Sequence, residues 1–217
     1  MLFVTHGLRR SAAVIVAALF AVALFASALL GSGVANAASG YTEVAQPEPT
    51  EGQVVVEYFW YGCPHCNALQ AHIPTWKARL PAEVRFQAVP VALRPEWVDH
   101  ARAFYAAQRL GVLEPFHPAL FKALHEEKRR LQDAASLAAF AAETTGVAAQ
   151  AFVSAMASDA VETQIFADMD RIKRLGLKAT PTLVVNGRYR ITPDSAGGYA
   201  EMLEVVDRLL ANAAQRQ

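Results

Sequence analysis

The stretch Val54-Val55-Val56-Glu57-Tyr58-Phe59-Trp60-Tyr61-Gly62-Cys63-Pro64-His65-Cys66 leaves few folds open to this chain. β-branched and aromatic residues follow one another without the polar alternation of a half-exposed strand, so the segment reads as a central strand covered on both faces. Gly62 ends the run, and Pro64 stands at the first helical position, one residue after Cys63. A buried strand therefore passes through a tight turn into a helix. Val84 to Val91 reads as the next strand, parallel to the first, and closes a β-α-β unit around that helix.

Both cysteines of the chain lie in this stretch. Cys63 is expected at the helix N-cap, where free backbone N–H groups and the positive end of the helix dipole favour a thiolate. Cys66, one turn on, is expected beneath it, and the spacing suits a small disulfide ring. Histidine titrates near neutrality, so His65, preceded by Pro64, can offer charge or a hydrogen bond to the Cys63 sulfur. Thiolate stabilisation favours the dithiol and makes the couple more oxidising. A structural bridge is the weaker reading, because closing so short a loop removes little entropy from the unfolded chain. Zinc would have to recruit scattered histidines such as His72 or His100, there being no second cysteine pair.

Glu57 is the odd residue of the strand. Either it faces water at the strand edge, or it is buried with its pKa raised by desolvation and by the nearby thiolate, able to exchange a proton with Cys66. After Cys66, the apolar positions Leu69, Ile73, Trp76 and Leu80 keep a helical period that Pro74 is expected to kink without ending, and His72 reads as helix surface. From Glu96 to Asp159 the signals are helical: Trp97 to Leu110, Pro115 to His125, Ser136 to Thr144 and Ala148 to Ala157. The charge run Glu126 to Arg130 reads as a solvated helix end. A helix through Val161, Ile165, Met169, Ile172 and Leu175 follows. Then a strand opened by Pro181, an Asn186-Gly187 turn of type I′ and a return strand make a hairpin. Tyr199 to Ala213 is the last helix, with Leu203, Val206, Leu209 and Leu210 on one face.

The first 37 residues read as an address. Arg9 and Arg10 precede an apolar run from Ser11 to Leu30, and Ala35-Asn36-Ala37 offers a signal peptidase its small residues. The apolar run is also long enough to serve as an uncleaved anchor. Removal of this segment leaves 180 of the 217 residues and, since it holds two arginines and no acid, a net charge of about −2. Nothing in that balance suggests nucleic acid as a partner. Ser39 to Gln53, with Pro47, Pro49 and Gly52, reads as an extended lead-in.

Cys63-Pro64-His65-Cys66 after an apolar strand carrying one Glu resembles the active site of the DsbA family of periplasmic thiol-disulfide oxidoreductases. The helical stretch and Thr180-Pro181 extend the resemblance over nearly the whole chain after the signal segment. It implies a thioredoxin-like α/β domain, residues 38–95 and 160–217, with an inserted all-helical domain, residues 96–159. It implies that Glu57 is buried and active, that the Thr180-Pro181 bond is cis, and that Thr180 and Pro181 meet the substrate peptide by backbone pairing. The implied activity is oxidation of cysteine pairs in newly exported proteins, with no dissociable cofactor and with reoxidation by a DsbB-type, quinone-linked membrane oxidase. Monomer is the default state. A reductase or isomerase, which would need a reducing partner, and a binding or chaperone module with a vestigial disulfide remain as alternatives.

Overall fold

Strand β2, Gln53–Phe59, is buried along its whole length and is the axis of the fold. The computed structural model describes residues 39–215. The export segment expected over residues 1–37, with its alternative as an anchor, lies outside the described residues. Within them, no helix is long and apolar enough to cross a membrane.

The sheet has five strands in the order β1-β5-β4-β2-β3, with β1 Thr42–Glu43, β3 Val84–Pro90, β4 Thr182–Val185 and β5 Tyr189–Ile191. β2 runs parallel to β3 and antiparallel to β4, so the expected β-α-β unit and the expected hairpin meet on the central strand. The hairpin turns at Asn186 and Gly187, with φ of 51° and 62°, as a type I′ turn requires. A Cβ at Gly187 would also stand 2.2 Å from the Glu48 carbonyl oxygen, so only glycine fits.

Side chains of β2 alternate between two covered faces. On one, Val55 packs with Leu183, Val185 and Ile191 against helices α1 (Pro64–Gln70), α2 (Ile73–Lys77) and α9 (Tyr199–Ala214). On the other, Val54, Val56 and Tyr58 meet Ile172 of helix α7 (Asp159–Arg174), with Leu175 and Leu177 just beyond it. Full burial of each such aliphatic side chain is worth about 1.5–3 kcal/mol, which is why β2 is apolar on both faces apart from Gln53 and Glu57. At the end of β2 a third cluster begins. Phe59, Tyr61, Cys63 and Cys66 pack with Phe104, Phe116, Phe121 and Phe152 from helices α3 (Pro95–Arg109), α4 (Leu113–His125) and α6 (Ala149–Met156). Helix α5 (Ala134–Thr145) completes this helical stretch, in which the structure has no strand. The cysteines thus sit where sheet and helical stretch meet.

Three local expectations change. The helix after Cys66 is broken, not kinked: Ala71 and His72 donate to the carbonyls of Ala68 and Leu69, tightening the last turn, and a second helix starts at Ile73. Pro74 in a continuous helix would clash with the Gln70 carbonyl, whereas in a first turn its missing N–H costs nothing. His72 becomes the N-cap residue of α2. The lead-in contributes the two-residue strand β1 on the outer side of β5. A short helix α8, Pro193–Ala196, follows the hairpin, closed by a capping box between Thr192 and Ser195.

Candidate active site

Cys63 is the N-cap of α1, as the sequence suggests. Its backbone is extended (φ −83°, ψ 117°), and its Sγ accepts from the Cys66 N–H at 3.4 Å. The two cysteines are free thiols, both buried by surface area, Cys66 completely and Cys63 at 7% exposure. Their titrations are driven apart. Cys63 is lowered to about 5, foremost by the hydrogen bond from the Cys66 thiol and further by the Thr180 side chain and the backbone N–H groups of Cys66 and His65, with burial opposing. Cys66 is pushed far above an ordinary thiol by desolvation, by that same bond to Cys63 and by the negative charge of Cys63 and Glu57. At neutral pH one sulfur is a thiolate and the other a thiol.

The expected hydrogen bond from the His65 imidazole to Cys63 is not there. The ring Nδ1 lies 2.7 Å from the Tyr199 hydroxyl, at the start of α9, and what His65 gives Cys63 is its backbone N–H. The reason is geometric. Main-chain N–H groups at a helix start converge on the N-cap sulfur, while a side chain at the second helical position points outward.

Glu57 is 1% exposed, on the face of β2 that meets α1, so the water-facing reading fails. Gln70 Nε2 donates to Glu57 Oε1 at 2.8 Å. Desolvation raises the carboxyl to about 7 and the Gln70 bond holds it back. The thiolate, expected to add to the rise, is not among the causes. Beyond Glu57 opens a cleft of about 830 Å³ between sheet and helical stretch, lined among others by Gln70, Lys77, Tyr105, His117 and Asp168.

The Thr180-Pro181 bond is cis. Cys63 Sγ lies 3.4 Å from the Thr180 carbonyl oxygen, to which it donates when protonated, and this brings the loop before β4 against the cysteine pair from 117 residues away. Thr180 is half-buried and Pro181 buried. The structure therefore gathers Cys63, Cys66, Pro64, His65, Glu57, Thr180 and Pro181 at one end of the sheet.

Other residues join them that sequence reasoning missed. Gln70 follows Cys66 by one helical turn, a spacing that shares a face and was a usable signal. The ring cluster beyond Cys63 had none. The Tyr61 hydroxyl lies 2.8 Å from His117 Nδ1, His125 Nε2–H donates to the Tyr61 carbonyl, and burial lowers His117 to about 4. Trp60 stacks on Trp97 with centroids 4.4 Å apart and donates its indole N–H to His100 Nδ1 at 3.0 Å. A tryptophan only donates, so His100 is the Nε2–H tautomer and donates in turn to the Leu131 carbonyl at 2.7 Å. This chain of bonds ties the end of β2 to the helical stretch. Among the described residues no group of His, Cys, Asp and Glu is arranged to hold a metal.

The pattern of the DSBA-like thioredoxin domain family matches residues 54–200. The thiol:disulfide interchange protein DsbA of Pseudomonas aeruginosa PAO1 is 37% identical over 181 residues, covering 80% of this chain and 83% of its own. Its namesake in Pseudomonas syringae pv. tomato is 34% identical over 203 residues, covering 92% of each. The crystal structure of Pseudomonas aeruginosa DsbA superposes with a TM-score of 0.76 at 35% identity, over 82% of this chain and 95% of that one. The oxidoreductase NmDsbA1 of N. meningitidis, at 21% identity and a TM-score of 0.71, shares the fold. The thioredoxin-like α/β class is thereby established, with the helical stretch set between β3 and α7.

Proposed function

The chain belongs to the DSBA-like thioredoxin domain family, and from that premise we propose how its site works. The protein is a thiol:disulfide oxidoreductase that donates a Cys63–Cys66 disulfide to cysteine pairs of other proteins. The observation that supports this direction is the asymmetry of the two thiols, Cys63 lowered to about 5 and Cys66 raised. Each unit by which the thiolate titrates below ambient pH stabilises the dithiol by about 1.4 kcal/mol, worth roughly 30 mV toward a more oxidising couple.

In the first step a substrate thiolate attacks Cys63 Sγ of the disulfide; an S–S bond forms between substrate and Cys63, and Cys66 leaves with the electron pair of the old one. A free Cys66 thiolate is costly in its buried setting, so the departing sulfur needs a proton. Glu57, titrating near 7 and held by Gln70, is the group suited to give it. In the second step the other substrate thiolate attacks the substrate sulfur of the mixed disulfide, and Cys63 leaves as its stable thiolate. Two electrons have passed to the protein. Pro64 and His65 complete α1 beneath Cys63, and the backbone of Thr180 beside Pro181 pairs with the extended substrate.

We divide the chain into a thioredoxin-like domain, 38–95 and 160–217, and an inserted helical domain, 96–159. We place its work in the periplasm, on newly exported proteins, on the strength of the signal-like residues 1–37 and the family. There it acts as a monomer and is reoxidised by a DsbB-type, quinone-linked membrane oxidase. The test is the reduction potential against glutathione. An oxidant sits well above the cytosolic glutathione poise of about −220 to −260 mV, and a value near or below that poise would replace this reading with a reductase.

A further inference from the structure

Tyr199 meets the active site from a segment far along the chain, and the loop that delivers it is constructed. Helix α8 is closed by the Thr192–Ser195 capping box, and the Ser195 hydroxyl donates to the Gly40 carbonyl at 3.0 Å, pinning α8 to the lead-in. Gly197 then takes the left-handed conformation (φ 94°), which favours glycine, and turns the chain into α9, whose first residue is Tyr199. Below it, Met202 and Leu203 are buried in the cluster that also holds Leu69 of α1, so the start of α9 is packed beside the active-site helix. The result is a half-buried phenol whose hydroxyl lies 2.7 Å from Nδ1 of the exposed His65, with the ring centroids 6.4 Å apart.

We propose that Tyr199 is a positioning residue that holds the His65 imidazole away from the Cys63 sulfur and thereby limits how oxidising the couple is. The proposal rests on the oxidoreductase reading above. A hydroxyl both donates and accepts, so it engages Nδ1 in either tautomer. Cys63 receives its hydrogen bonds from the Cys66 thiol and from the main-chain N–H groups of Cys66 and His65, and the imidazole adds none. A ring with a competing partner must give up that bond before it turns to a neighbouring thiolate. Removal of the hydroxyl releases it, and the released ring is a donor for the reduced form alone, because only that form carries the Cys63 thiolate.

The experiment is a double-mutant cycle on the full chain: wild type, Tyr199→Phe, His65→Ala and the double variant. In each, the equilibrium constant with glutathione and the pH midpoint of Cys63 thiolate absorbance near 240 nm are measured. Tyr199→Phe should favour the reduced protein about three- to tenfold and lower the thiolate midpoint. In the His65→Ala background the same substitution should do neither. Tyr199→Leu, which also lacks the hydroxyl, must shift both readouts in the same direction, and imidazole 15N–1H spectra should show Nδ1 losing its partner. An unchanged constant, a shift toward the oxidised protein, or an equal shift with and without His65 would each overturn the proposal. The oxidant reading fails separately, through a wild-type potential at or below the glutathione poise, whatever the cycle shows.

Discussion

Glu57→Gln isolates what it costs to keep a carboxyl inside the sheet. Glu57 is buried and titrates near 7 instead of 4.5 because burial penalises its charged form. A folded-state pKa above the unfolded one means that the native protein binds the extra proton between these values, so stability falls as pH rises through that window. The span from 4.5 to about 7 corresponds to about 3 kcal/mol, fully charged to the native state above pH 8 and absent below pH 4. Glutamine has no proton to lose and its amide oxygen still accepts from Gln70. The variant should therefore match wild type near pH 4 and exceed it in stability by up to about 3 kcal/mol at pH 9. Urea melts of the disulfide form are the right assay, since neither thiol titrates there. His100 and His117, lowered by burial, tilt both curves the other way in acid and cancel in the difference. A difference that stays flat from pH 4 to pH 9 would refute the argument.

Other consequences are open to the same kind of test. Glu57→Gln should slow thiol exchange while leaving the potential nearly unchanged, because a proton donor to the buried sulfur acts on rate; stopped-flow exchange across pH 5 to 8 would measure it. Cys63→Ser should abolish oxidation of a reduced test protein and Cys66→Ser should accumulate mixed disulfides; faster iodoacetamide labelling of Cys66 than of Cys63 at pH 7 would reverse the roles. Since Cys63 is depressed in the folded dithiol, its stabilising effect is complete above the unfolded thiol pKa and is lost as pH falls through about 5. Paired melts should thus find the reduced form gaining on the oxidised one from pH 5 upward, and a gap independent of pH would contradict the depressed thiol. His65→Pro removes the backbone N–H that faces Cys63 and His65→Ala keeps it, so the potential should fall more with proline; equal potentials would count against the backbone as donor.

What was legible in the sequence was local. The apolar run into Cys63-Pro64, the Asn186-Gly187 turn and the helical periods each carry their own signal within a few residues, and the structure has β2, α1, the hairpin and the helical stretch where those signals lie. Glu57 was legible as an anomaly, and its burial follows from the apolar neighbours on both sides. The break at Ala71 and His72 was misjudged because periodicity continues across it; only the clash of Pro74 with the Gln70 carbonyl distinguishes a break from a kink. The side-chain partners were not legible. Tyr199 reaches His65 across 134 residues, His117 reaches Tyr61 across 56 and His100 reaches Trp60 across 40, and no period in the chain says which ring will meet which. The His65 imidazole was assigned to Cys63 for the same reason: the nearest sulfur in sequence was visible, the competing hydroxyl was not.

The placement of β2 in the sheet bears on how the protein is made. Its neighbour β3 is nearby in the chain, but its other neighbour β4 is not: Val54 bonds to Asn186, just past β4, across 132 residues. A ribosome or a translocation channel releases the chain from its N-terminus, so both cysteines emerge long before the strand that completes their sheet. The helical stretch between, rich in contacts close along the chain, has the material to form early, and the sheet must wait for the hairpin. Until then Glu57 lacks the cover of β4 and Cys63 lacks the Thr180 loop. Only once the last sixth of the polypeptide has arrived can the Thr180 loop reach Cys63 and the site be completed.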